Sequence, residues 1–331
     1  YHNRSGIAIT MPYAGRDDLA RPAGHLSDKS VPCQPGSGCS YSLDVSGGWY
    51  DAGDHGKYVV NGGISLWTML SQYERAKYLG TSSADFGDGK LAIPENKNGV
   101  ADILDEARFQ MEFMLRMQVP AGNPKAGMVH HKVHDEKWTA LGMAPHEDKM
   151  KRYLHAPSTA ATLNLAATAA QAARIWKTID PAFSAKCLTA AETAWTAAQA
   201  NPSVIAPDSD NTGGGPYGDS NFTDEFYWAA AELFITTGTE AYKTFLLNSP
   251  QKAKIPGGGV NGGAMTWDTT AALGTISLAV VPNNLDKAVI AAMRASLTSA
   301  ADGYLAAIDG QGYRVPFKPA SGKYPDRKSV V

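Results

Sequence analysis

Asp51 and Asp54 stand three residues apart in the run GGWYDAGDHGKY, residues 47–58, with Trp49, Tyr50 and Tyr58 around them and His55 and Lys57 close behind. Acids held beside flat apolar rings suit the hydrolysis of a sugar linkage. The rings stack on the sugar while one carboxylate takes a proton from water and the other orients that water. The same Asp-x-x-Asp-His spacing also offers oxygen and nitrogen ligands to a metal. A plain turn, with the aspartates capping backbone amides, is the third reading. Spacing alone leaves all three open. Glycines at 47, 48, 53 and 56 make the stretch a loop rather than a helix or strand.

Two further runs carry chemistry-bearing side chains. MVHHKVHDEKWTALGMAP holds His130, His131, His134, Asp135 and Trp138, dense enough to suggest a metal, but it lacks a helical His-Glu-x-x-His arrangement. YGDSNFTDEFYWAAAELF, Tyr217 to Phe234, places Asp224 and Glu225 in a first helical turn, with Thr223 as the expected cap. Asp102, Asp105 and Glu106 fall at the start of another helix, where acids favour the positive end of the dipole. Cys33 and Cys39 bracket the loop CQPGSGC and are expected to close a small disulfide, as in a secreted protein. A structural Zn2+ there is the disfavoured alternative, because it needs two more ligands. Cys187, in an alanine-rich pattern, reads as a buried apolar group.

The elements that must position these residues are helical. Residues 1–46 have little periodicity and form a loop-rich lead-in, with a short strand expected near Ile7 to Thr10. Beyond the aspartate loop, apolar residues recur at helical spacing from Ile64 to Ala76 and from Val100 to Leu115. Alanine-rich helical patterns follow at about 158–176, 182–200, 224–236 and 285–308, with shorter ones near 240–247 and 269–278. Pro157-Ser158 marks a helix start. Such serial helices joined by Gly-, Pro- and Asn-rich loops predict an all-α architecture. At 331 residues of uniform composition the chain reads as one domain, 1–331. Its net charge of −2 gives no electrostatic case for nucleic acid or an anionic membrane surface, and no apolar run is long enough to span a bilayer.

SGGWYDAGDHGKYV closely resembles the N-terminal signature of glycoside hydrolase family 9, the inverting cellulases and related β-glucanases, and further matches follow along most of the chain. The resemblance implies an (α/α)6 barrel whose rim loops build the substrate cleft, and a secreted enzyme acting on β-1,4-glucan. It makes Asp54 the general base and Asp51 its partner in holding the attacking water. Trp49, Tyr50, His55, His134, Trp138, Arg152 and Tyr217 become expected substrate contacts. It further implies a structural Ca2+ held by Ser220, Asn221, Asp224, Glu225 and Asp268, a ligand set rich in oxygen as calcium prefers.

The opening YHNRSGI resembles the junction at which one branch of the family follows an immunoglobulin-like domain. GYRVPFKPASGKYP, Gly312 to Pro325, still matches the family, but Asp326, Arg327, Lys328 and Ser329 replace its usual Trp-Gly-Ser-Asn continuation. The general acid, a glutamate, is therefore expected beyond the chain end together with the last barrel helices. An inverting enzyme sets its two acids about 6.5–9.5 Å apart, so Asp51 and Asp54 are not expected to fill both roles. Glu232, inside the AAAEL helix, is expected to be structural. The alternative is a non-catalytic carbohydrate-binding relative that lacks the proton donor.

Overall fold

The helical periodicity after the aspartate loop is realised as α1 (Val59–Leu79) and α2 (Asp102–Arg116), followed by α3 (Thr159–Trp176) and α4 (Pro181–Ala200). Then come α5 (Thr223–Thr237), α6 (Glu240–Asn248), α7 (Ala271–Val280) and α8 (Lys287–Asp309). These bounds fall within a few residues of those expected. The computed structural model describes residues 1–80, 84–256, 265–310, 312 and 314, gathered into two units, Tyr1–Ser220 and Asn221–Val331. Apart from Gly312 and Arg314, the GYRVPFKPASGKYP run lies outside the described residues.

In the first unit α3 is central. It is buried on every face except at Arg174, as expected of a helix that is apolar or small all round, and it packs against α1, α2 and α4. Its alanines allow close approach. Gly63 of α1 lies so near that an added Cβ would collide with Asn164 of α3. Most donors on α3 are satisfied locally or by Glu74 of α1: Thr168 donates to Asn164 O at 2.7 Å, while Gln171 Nε2 and Arg174 reach Glu74 at 3.0 and 2.7 Å. Ser158 caps α3 by accepting from Ala161 N at 3.1 Å. Ser158→Ala is expected to cost about 1 kcal/mol in urea unfolding; an unchanged midpoint would remove the cap from this account.

In the second unit α5 packs on α6 and α7, and α7 on α8. The N-cap position of α5 is Phe222 rather than Thr223. The Asn221 side-chain oxygen accepts from Thr223 N and Oγ1 instead, so the residue expected to cap is itself the first helical residue.

Short strands at places where the sequence marks none do much of the positioning. β1 (Val31–Pro32) pairs with β2 (Ser42–Leu43). β3 (Lys57–Tyr58), β5 (Lys132–Asp135) and β6 (Arg152–Leu154) form an antiparallel sheet in which Tyr58 faces Lys132 and Asp135 faces Arg152. β4 (Val129–His130) pairs with β7 (Pro157–Ser158). The strand expected near Ile7 reduces to a single bridge between Ile9 and Arg21. Cys33 and Cys39 are bonded, and Cys187 is fully buried in α4.

Candidate active site

Two tyrosines hold the two aspartates. Tyr58, the last residue of β3, donates its hydroxyl to Asp54 Oδ2 at 2.6 Å, and Tyr217 donates to Asp51 Oδ2 at 2.8 Å. Asn61, in the first turn of α1, donates to Asp51 Oδ1 at 3.1 Å. The loop is closed by Asp51 N–H on Gly56 O at 3.0 Å. The Tyr58 and Tyr217 rings meet edge-on with centroids 4.9 Å apart. Burial raises the Tyr58 phenol and the Asp54 carboxylate beside it adds to the effect, so its proton stays in place for donation. Asp54 is 5% exposed, whereas Asp51 is half-buried.

β5 is the frame for both pairs. It sets Tyr58 in register, and its Lys132 points Nζ at the carbonyls of Asp210, Thr212, Gly214 and Gly215, at 3.5, 3.5, 3.3 and 3.0 Å. That folds the segment leading to Tyr217 back over the aspartate loop. His131 continues the job, its Nε2 meeting Pro216 O at 2.9 Å. Gly214 is required by close approach: an added Cβ would collide with the Tyr58 hydroxyl and lie 3.1 Å from Asp54 Oδ2.

The other expected substrate contacts divide sharply. Trp138 is 49% exposed, and a flat ring at the surface is free to stack. Trp49 instead turns its indole N–H onto Glu106 of α2 at 2.7 Å, where Glu106 also receives Arg4. Tyr50 is buried with its hydroxyl 2.7 Å from His25 Nδ1, and His55 is buried with Nδ1 2.7 Å from Asp148 Oδ2. His134 is fully buried, its ring nitrogens facing Asp135 O and the Gln34 side chain. His130 meets Tyr41 and His155 O, so the dense histidine run is a scaffold of internally bonded rings rather than one metal centre.

Arg152 is buried as well. It donates to Asp28 at 2.8 Å, to Asp135 at 2.7 Å and to His55 O at 2.9 Å, while Lys57 adds a second cation on Asp28 at 2.7 Å. Burial alone would depress the Arg152 guanidinium, but Asp28 and Asp135 more than reverse that. Burial likewise opposes ionisation of Asp28, yet Arg152 and Lys57 hold it at about 2. Arg152 thus braces the backbone just after Asp54 from behind. Arg152→Met strands buried carboxylates and is expected to cost about 3–5 kcal/mol in urea unfolding. A loss below about 1 kcal/mol would mean that solvent reaches the pair.

Of the expected calcium ligands, Asp224 and Glu225 lie buried at the start of α5, with carboxylate oxygens within 4.8 Å of each other. Asp224 Oδ2 accepts from Thr270 N at 2.7 Å, and its Oδ1 is buried without a hydrogen-bond partner. Asp268 accepts from the hydroxyls of Thr266 and Thr269, and Asn221 is engaged with Thr223. Ser220 closes the first unit. Glu232 is fully buried, accepting from Ser277 at 2.6 Å and from the Trp228 indole, as a structural acid would.

The glycosyl hydrolase family 9 profile matches residues 1–325. A cellulose 1,4-beta-cellobiosidase of Acetivibrio thermocellus is 51% identical over 98% of this chain and 40% of its own length, and endoglucanase C of Cellulomonas fimi is 48% identical over 98% and 30%. Among solved structures, the Bacteroides ovatus GH9 protein aligns with TM-score 0.81 at 31% identity, covering 96% of this chain and 57% of that one. A metagenome-derived glycoside hydrolase family 9 endoglucanase gives 0.80 at 32%, covering 96% and 55%. The chain therefore spans less than two thirds of each. Its mostly helical fold is that of these structures, the (α/α)6-barrel class anticipated from the aspartate loop.

Proposed function

The chain belongs to glycosyl hydrolase family 9, and on that premise we propose that it supplies the water-activating half of an inverting β-1,4-glucanase. The observation that carries this reading is the pair of aspartates, each held by its own tyrosine hydroxyl. Tyr58 occupies Oδ2 of Asp54, leaving Oδ1 to take the proton from water as general base. Tyr217 and Asn61 fix both oxygens of Asp51 as acceptors that orient the same water. Trp138 offers a stacking face for a glucose unit. The proton donor to the leaving oxygen is assigned to a glutamate of the complete enzyme, since Glu232 is engaged inside its own unit. The Cys33–Cys39 bond fits a secreted protein.

The test is to incubate the complete enzyme with β-1,4-glucan and follow the anomer released by NMR. Inversion is expected. Retention would overturn the assignment of a base, and glucan binding without release would favour a carbohydrate-binding relative. Tyr58→Phe removes one hydrogen bond to a charged group, about 1.5–3 kcal/mol, and is expected to lower kcat roughly 10- to 100-fold with KM little changed. A fall in affinity with unchanged kcat would place Tyr58 among substrate contacts instead.

The calcium reading rests on the second unit. Two buried carboxylates on adjacent residues, one oxygen of Asp224 lacking a hydrogen-bond partner, form an oxygen-rich and negatively charged pair that suits Ca2+, and Asp268 and Asn221 of the same unit are the further expected ligands. Adding EGTA is expected to lower Tm, and Ca2+ to restore it. A Tm indifferent to both would remove the ion.

A further inference from the structure

Behind the aspartate loop lie four side chains that the proposed hydrolysis does not use: His25, His55, Asp135 and Asp148. They come from the lead-in, the residue after Asp54, the end of β5 and the turn before β6, and none is more than 7% exposed. One ligand-type atom from each lies within 4.8 Å of all the others. We infer that these residues form a binding site for one divalent transition-metal ion of the zinc type.

The donor set fits. Two imidazoles and two carboxylates are ligands that zinc accepts, at about 2.0–2.2 Å, which places neighbouring donors of a tetrahedron about 3.3–3.6 Å apart. His25 Nε2 stands 3.7 Å from Asp148 Oδ2 and 4.0 Å from Asp135 Oδ1, and His55 Nδ1 stands 2.7 Å from Asp148 Oδ2. The two His25 separations close, and the His55–Asp148 one opens, by less than about 1 Å to reach bonding geometry, with the metal replacing the proton between His55 and Asp148. Asp135 Oδ1 already receives Arg152, so His25, His55 and Asp148 are the core ligands and Asp135 is the weakest.

Independent observations point to the same place. His25 Nε2 is buried with no hydrogen-bond partner and faces the two carboxylates. Its Nδ1 pairs with the Tyr50 hydroxyl at 2.7 Å, which fixes the ring. The far oxygens of both acids are held as well: Thr139 donates to Asp135 Oδ2 at 3.0 Å, and Met150 N to Asp148 Oδ1 at 2.9 Å. Such outer contacts orient metal ligands. In the buried network, three carboxylates, Asp28, Asp135 and Asp148, meet only two permanent cations, Lys57 and Arg152, so one negative charge is left for a bound cation to balance. A cavity of about 730 Å³, lined in part by His25, His146, Asp148 and Tyr153, gives an ion its way in. Because His55 adjoins Asp54, an ion here would fasten the aspartate loop from behind.

The test uses the complete protein, stripped with EDTA, dialysed, and loaded with stoichiometric Zn2+. One equivalent retained by elemental analysis is expected, along with a higher Tm. His25→Gln and Asp148→Asn, checked by circular dichroism, are each expected to retain less than one-tenth of that zinc, whereas the double change Cys33→Ser and Cys39→Ser retains it. No retention by the unaltered protein, retention unchanged in both variants, or retention lost with the cysteines would overturn the proposal. Should the variants misfold, anomalous diffraction at the zinc edge on the loaded unaltered protein decides. A peak among the four side chains supports the site, and a peak elsewhere refutes it.

Discussion

Changing Asp54 to asparagine in the complete enzyme is expected to lower turnover on β-glucan by roughly 10²–10⁴-fold, the usual effect of losing a positioned base. Glucan binding should survive. The asparagine oxygen can still accept from Tyr58, whose hydroxyl is 2.6 Å from Asp54 Oδ2, so the loop keeps its shape while the proton acceptor is lost. Comparing kcat with glucan affinity for the two proteins checks this. Near-normal turnover would end the assignment of Asp54 as base. A matching loss of affinity would show that the loop itself had collapsed.

The second large effect concerns acid. Burial pushes His130 down to about 4 and His131 down to about 3, the latter helped by neighbouring His155 and Lys132. Both rings are therefore neutral in the fold but take up a proton in the unfolded chain below about pH 6.5. The unfolded state binds more protons throughout that interval, so stability is fully present above pH 6.5 and declines as pH falls towards 4. For the pair the slope is roughly 2–3 kcal/mol per pH unit. Burial lowers His25, His134 and His155 as well, and they steepen the slope further. Urea unfolding at pH 7, 6 and 5 measures the whole slope, and His131→Gln should reduce it by about 1 kcal/mol per pH unit. Stability that holds constant from pH 6.5 to 5 would mean that the rings protonate without unfolding.

Much of this was legible in advance. Helices carried by long alanine-rich periodic runs appeared where expected, because 3.6-residue periodicity survives any tertiary context that buries one face. The aspartate loop was legible from its glycines and rings. What escaped was non-local. Two-residue strands such as Lys57–Tyr58 have no periodicity to detect, and they exist only because β5 lies beside them. Tyr50, His55, His134 and Arg152 carry side chains that suit sugar binding, but here they are buried, and the half-buried Trp49 spends its indole N–H on Glu106, a matter of register and burial that residue type does not encode. Lys132 and Asn61 carried no local signal. The three consecutive glycines before Pro216 did carry one: a run without side chains marks a place where backbone must pass close to something, and it passes over Tyr58.

The four carbonyls gathered by the Lys132 ammonium have a mechanical consequence. Tyr58 and Tyr217, which steady one acid apiece, both take their coordinates from the same strand, one by ladder pairing and the other through that ammonium. Thermal drift of the strand thus carries both carboxylates along together and leaves their separation nearly constant. The surrounding surface can be rebuilt, by lengthening the turns at 84–100, without retuning the distance on which the chemistry depends.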